Sequence, residues 1–219
     1  MYNRELYEKN LVLIGGEFVF FPCLDDEGMI ANPDLFYGYV DEDENEVESQ
    51  EPSVSDEDLE HASGNVSKYF TWGDTVVTNH EKYKKGNKPN AIQRTNIVIA
   101  AKMLDKFREA AGVPFTVTSW YRSEELNSFV NGVPNSDHRI GLAIDVKPVG
   151  ISARQLWIRA KHSGLPFGQL ILYNSFVHFG FNLGKNKNEE LVIQGVSKPT
   201  AEEEKNEMRA FRAEPNFFW

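Results

Sequence analysis

The chain is predicted to be an α+β protein, a small and mostly antiparallel sheet with flanking helices. Two observations carry this. Residues 90–112 hold the strongest helical periodicity, and the β-rich runs at 113–119, 142–146, 169–173 and 176–181 are short and interspersed with helical or turn-rich stretches. At 219 residues, 41% hydrophobic and 26% charged, the chain is long enough and apolar enough for one domain with a true core.

The front of the chain differs from the rest. Leu11 to Phe21 reads as two short strands around Gly15-Gly16, a hairpin that would pair with something else, so residues 1–40 are expected to be a β-rich arm or small appendage. The single cysteine, Cys23, excludes an intrachain disulfide, and its apolar neighbours fit a buried thiol rather than a nucleophile. Asp41 to Glu60 then places 11 acids in 20 residues with no base. Such a segment repels itself and buries too little to fold alone, so residues 41–65 are expected to be an acidic linker.

Order is expected to resume near Val66. Between Asn90 and Gly112, the residues Ile92, Ile99, Met103, Phe107 and Ala110 recur at spacings of three, four and seven, and Gly112 is a natural stop. Val113 to Ser119 is β-rich. Ser123 can cap a helix to Val130, with Glu124 and Glu125 in its first turn. Asn131 to Asn135 is a turn-rich loop. Leu142 to Val146 reads as a strand, and Ser152 to Ser163 as a helix ended by Gly164. Gln169 to Tyr173 and Phe176 to Phe181 read as strands joined tightly through Asn174-Ser175. These elements define one expected domain, residues 66–185. The tail, 186–219, is polar, helix-like over Thr200 to Arg212, and ends in Pro215-Asn216-Phe217-Phe218-Trp219. It is expected to dock, either on this domain or on a partner.

Charge narrows the function classes. The net charge of −10 splits into −16 over residues 1–67, where 18 acids face only Arg4 and Lys9, and +6 over the remainder. Phosphate binding needs local positive charge, so the front segment is not a nucleic-acid surface. No apolar run reaches the roughly 20 residues that span a bilayer, so no membrane association is expected. Met1 to Asn10 lacks the basic-then-apolar order of a secretory signal.

The chemistry-bearing segment is Asn135 to Asp145, in which His138 is followed by Gly141, Ala143 and Asp145. A second histidine, His178, lies in the strand 176–181, where alternation sets it on the face opposite Val177 and Phe179. Two neutral imidazoles and a carboxylate suit Zn²⁺ with a fourth position open to water. Taken alone, these residues also fit a core histidine and a capping aspartate.

Motifs spread along the chain add to this reading. Phe115-Thr-Val-Thr-Ser-Trp-Tyr-Arg-Ser123, then Leu126-Asn127, Asn135-Ser136-x-His138-x-x-Gly141-x-Ala143-x-Asp145, Phe167-x-Gln169-Leu-Ile171 and Val177-His178 occur in that order. Phe70-Thr-Trp72 and the helix 90–112 fit the same pattern. Over about 115 residues this resembles the zinc D-alanyl-D-alanine carboxypeptidase / L-alanyl-D-glutamate endopeptidase family, in its short, phage-type form. The resemblance implies a zinc site on the sheet, with His138, Asp145 and His178 as ligands. It implies that Arg122 steadies a substrate carboxylate or tetrahedral intermediate, for which a planar guanidinium is suited, although a structural ion pair is the alternative. Ser136 would orient substrate or loop, with a simple turn hydrogen bond equally open. The implied substrates are peptidoglycan stem peptides, cleaved at a bond involving a D-amino acid.

One departure stands out. Relatives that hydrolyse peptides carry an acidic general base shortly before the second zinc histidine, whereas Leu172 to Val177 contains no carboxylate. Neither Tyr173 nor Ser175 is a substitute base, Asp137 need not point at the site, and His162 reads as a surface or core residue. General acid–base help contributes roughly 10²–10⁴-fold, so its loss bears on turnover. Two expectations therefore stand. One is a phage-encoded zinc peptidase, located in a virion or the host cytoplasm and acting at the host cell wall. The other is a non-catalytic virion component or wall-binding module that keeps the fold, with its acidic arm and aromatic C-terminus contacting virion proteins.

Overall fold

A computed structural model describes residues 64–185 and 188–213, together with the backbone of residues 11–14 and 17–20. The acidic stretch 41–60, Cys23 and the aromatic C-terminus lie outside the described residues. Strands β1 (Leu11–Ile14) and β2 (Glu17–Phe20) pair antiparallel, with Leu11 opposite Phe20 and Ile14 opposite Glu17.

From residue 64 the chain forms two short helices, α1 (Trp72–Thr75) and α2 (Glu81–Lys84). The first starts at a capping box between Thr71 and Asp74. The long helix α3 (Ala91–Ala111) follows. Asn90 and Gln93 cap it reciprocally, and Gly112, at φ 69°, ends it by donating to the Arg108 and Glu109 carbonyls. Its fully buried ridge is Ile97, Ala100, Leu104, Phe107 and Ala111, each at 0% exposure. The ridge is rotated slightly from the expected stripe, in which Ile92 and Ala110 stay half-buried.

The main sheet has five strands, β3 (Phe115–Ser119), β4 (Ala143–Pro148), β5 (Gln169–Leu172), β6 (Val177–Gly180) and β7 (Glu189–Val192), in spatial order β3-β4-β6-β5-β7. Every pairing is antiparallel except β5 with β7. The mostly antiparallel α+β architecture is therefore present, with one strand beyond residue 185. β7 is short and half polar, so its sequence carries little strand signal. Helices α4 (Glu124–Phe129) and α5 (Ala153–Lys161) are capped at their starts by Ser123 and Ser152.

Strand alternation divides the sheet into two faces. Val117, Ile144, Val146, Leu170, Leu172, Val177 and Phe179 are buried on one face. Phe107 of α3 reaches this face, its ring 5.1 Å from Phe179 and 5.9 Å from Phe181. The opposite face carries Asp145, His178 and Ile171 side by side along the ladder.

The tail helix α6 (Ala201–Ala213) packs on α5 within the same chain. Arg159 of α5 is buried. Its Nε donates to Glu207 at 2.7 Å, its Nη1 donates to the Ala111 carbonyl at 3.0 Å, and its guanidinium lies 4.2 Å from the Phe211 ring. Among the described residues no helix is long and apolar enough to cross a membrane.

Candidate metal centre

Three elements bring the site together. His138 lies in a 3-10 turn, Asp137–Ile140, capped at its start by Ser136, whose hydroxyl accepts from the His138 amide at 3.4 Å. Helix α3 pins the turn from below. Gln93 donates to the Arg139 carbonyl at 3.0 Å and Asn96 to the Ile140 carbonyl at 2.9 Å. The turn ends at Gly141 with φ 82°, where a Cβ would meet Ile97 Cγ1 at 2.7 Å and the Gln93 carbonyl at 2.9 Å. A glycine is required there both for its backbone angle and for its contact with α3.

Asp145 and His178 are directly opposite partners across β4 and β6. On the other side of β4, the β3 register slips between Val117 and Ser119, so that Ser119 faces Asp145. This bulge turns Ser119 toward the site face, where regular pairing would have turned it to the core. Ser119 Oγ then accepts from Arg122 Nε at 2.8 Å, while Arg122 Nη2 donates to Asp145 Oδ2 at 2.5 Å.

The remaining Asp145 oxygen, Oδ1, lies 2.8 Å from His178 Nδ1 and 3.4 Å from His138 Nε2, and the two ring nitrogens are 3.2 Å apart. His138 Nδ1 is 2.6 Å from the Trp120 carbonyl. A carbonyl can only accept, so Nδ1 carries the proton and Nε2 presents its lone pair to the cluster. All three residues are buried. Burial pushes the His138 pKa down, against the opposing pull of Asp145, and so favours the neutral, ligating form. For Asp145, burial acts to raise the pKa, but His138 and His178 outweigh it and hold the carboxyl well below the usual range.

This donor set fits a metal ion. One nitrogen lone pair, one carboxylate oxygen and one further ring nitrogen converge within 4.8 Å of one another. Tetrahedral ligands about 2.0–2.2 Å from zinc stand roughly 3.3–3.6 Å apart, which the 3.2 Å and 3.4 Å spacings of His138 Nε2 match, while the 2.8 Å between Asp145 and His178 is shorter. The Trp120 carbonyl and Arg122 stand behind the candidate ligands, one fixing the His138 tautomer and the other orienting the carboxylate.

Other residues considered from sequence fall elsewhere. The Asp137 carboxylate accepts from Asn182 at 3.2 Å and Lys185 at 3.3 Å. His162 is exposed and pairs with Glu204 at 2.8 Å. Ser119, the Trp120 carbonyl and the surroundings of Tyr173 were not legible in the motif. A strand bulge and a backbone carbonyl leave no residue-type signal. Beside Arg122 opens a cavity of about 130 Å³, lined by Thr78, His80, Thr118, Ser119 and Leu126 among others.

A buried cluster of two histidines and one carboxylate, on an α+β sheet and backed by an arginine, defines a metallopeptidase type of site. The family model described as Peptidase M15 matches residues 68–180, a span that contains all three metal-site residues and Arg122, and the chain belongs to that family. Peptidases of this family are zinc-dependent. No curated protein matches the chain.

Proposed function

We propose that the chain is a zinc-dependent peptidase of peptidoglycan stem peptides, hydrolysing a bond that involves a D-amino acid. The convergence of His138, Asp145 and His178 within 4.8 Å, inside a Peptidase M15 match, carries this reading. When bound, zinc supplies Lewis acidity that activates water and polarises a carbonyl.

The chain's own residues do the rest. Trp120 fixes the His138 tautomer, and Arg122 holds the Asp145 carboxylate in place. Arg122 also borders the cavity beside the site, which suits it to steady a substrate carboxylate or the tetrahedral intermediate. Ser136 acts through the turn that carries His138. The test is release of soluble stem peptides from purified sacculi by zinc-loaded wild type and by His138→Ala. Release by wild type and none by the variant is expected, while equal release would refute the proposal.

A second reading rests on the missing carboxylate between Leu172 and Val177. In that reading the fold serves as a phage virion or wall-binding part, and its arm and tail contact virion proteins. It predicts stable association with another protein that is lost on deleting residues 1–60 or the last few residues, and a monodisperse free monomer would count against it.

A further inference from the structure

Tyr173 sits where the sequence offers no acid. Strand register places it on the site face. Ile171 opposes His178 across β5 and β6, Tyr173 is two residues further along, and its amide closes the hairpin onto the Phe176 carbonyl at 3.0 Å. The ring is held by stacking on Phe176, with centroids 4.1 Å apart and planes at 14°. Phe176 in turn precedes His178 by two residues on the same face. Arg122 flanks the cluster from the β3 side and Tyr173 flanks it from the β5 side.

The phenol is half-buried and lies within electrostatic reach of both Asp145 and Arg122. Among the described residues its hydroxyl has no hydrogen-bond partner. Burial pushes the phenol pKa up, Asp145 adds to this and Arg122 opposes it, so the group stays protonated at neutral pH. A protonated phenol is a donor, not a base.

We propose that Tyr173 is a substrate-facing hydrogen-bond donor of this site, its hydroxyl donating to the oxygen of the scissile carbonyl as negative charge develops there. The proposal rests on the peptidase reading and deepens it. No proton leaves the phenol, so Tyr173 does not replace the missing base. It adds stabilisation of the oxyanion on the side opposite Arg122. A donor aimed at developing charge acts in the transition state more than in the ground state.

The test compares wild type with Tyr173→Phe, which keeps the ring on Phe176. Three readouts are needed: zinc affinity by chelator competition, calorimetric binding of a phosphinate dipeptide that mimics the tetrahedral oxyanion, and hydrolysis of a stem peptide. Unchanged zinc affinity is expected, with phosphinate binding and kcat each weaker by about 10²-fold and KM altered far less. A variant that binds the phosphinate like wild type, or that loses zinc, would overturn the role of Tyr173 alone. If zinc-loaded wild type neither binds the phosphinate nor cleaves the peptide, the peptidase reading fails and the role of Tyr173 fails with it.

Discussion

Asp145 and His178 face one another across β4 and β6, with Oδ1 of the carboxylate 2.8 Å from Nδ1 of the ring. Because this pair is built into the ladder of two central strands, the site is largely formed before any ion binds. Purified protein stripped of metal is therefore expected to remain folded and to take up one zinc per chain. Asp145→Asn should lower zinc affinity by more than the roughly 10–100-fold typical of losing an outer partner. Calorimetric titration of the two proteins checks this.

Arg122 holds the other oxygen of that carboxylate and is itself held by Ser119. Arg122→Lys keeps the charge but cannot reach both partners with one planar fork. Its zinc affinity is expected to fall by about 10–100-fold. Ser119→Ala, which removes only the far partner, should cost less. Chelator competition distinguishes the two.

At Gly141 the backbone is left-handed and α3 leaves no room for a Cβ. Gly141→Ala is expected to destabilise the fold by about 1–3 kcal/mol, from the strained φ and the contact with Gln93 and Ile97. His138 rides on the same turn, so zinc affinity should fall together with Tm. A stable variant with normal zinc binding would contradict the role given to this turn.

Much of the fold was legible because several signals agreed. Asn90 and Gly112 bound the long helix as caps, Ser123 and Ser152 start helices, and alternation around His178 identified its face. The candidate metal residues emerged from motif order, since Asp145 and His178 are 33 positions apart and strand pairing brings them together. What escaped was set by tertiary context. β7 pairs parallel to β5 through a half-polar segment, Ser119 turns inward only because of a bulge, and Tyr173 gains its position from a hairpin. The tail helix was legible as a helix, but its seat on α5 depends on Arg159, a buried cation that sequence alone does not distinguish from a surface one.

That seat predicts acid sensitivity. The Arg154 hydrogen bond, with help from Thr200, holds the Glu203 pKa down to about 2. For Glu204, burial works to raise the pKa, but Lys161 and His162 outweigh it and the pKa is lowered. Both carboxyls have folded values below the unfolded value of about 4.3. Their contribution is therefore full above that value and is lost as pH falls through the folded values. Amides of α6 are expected to lose hydrogen-exchange protection between about pH 4 and pH 2 before those of α3 do. Simultaneous loss in both helices would contradict this.

Glu207 is the partner of the buried Arg159 guanidinium. Glu207→Ala removes one charged partner of that buried cation and is expected to cost about 3 kcal/mol in urea unfolding. A change below about 1 kcal/mol would show that the partners remaining to Arg159, among them the Ala111 carbonyl and the Phe211 ring, satisfy it.

The most direct measurement is digestion of purified peptidoglycan by the zinc-loaded protein beside an EDTA-treated control. Zinc-dependent release of soluble stem peptides is the predicted result. Zinc bound in full, with no peptide released, would contradict a catalytic role for the His138, Asp145 and His178 site.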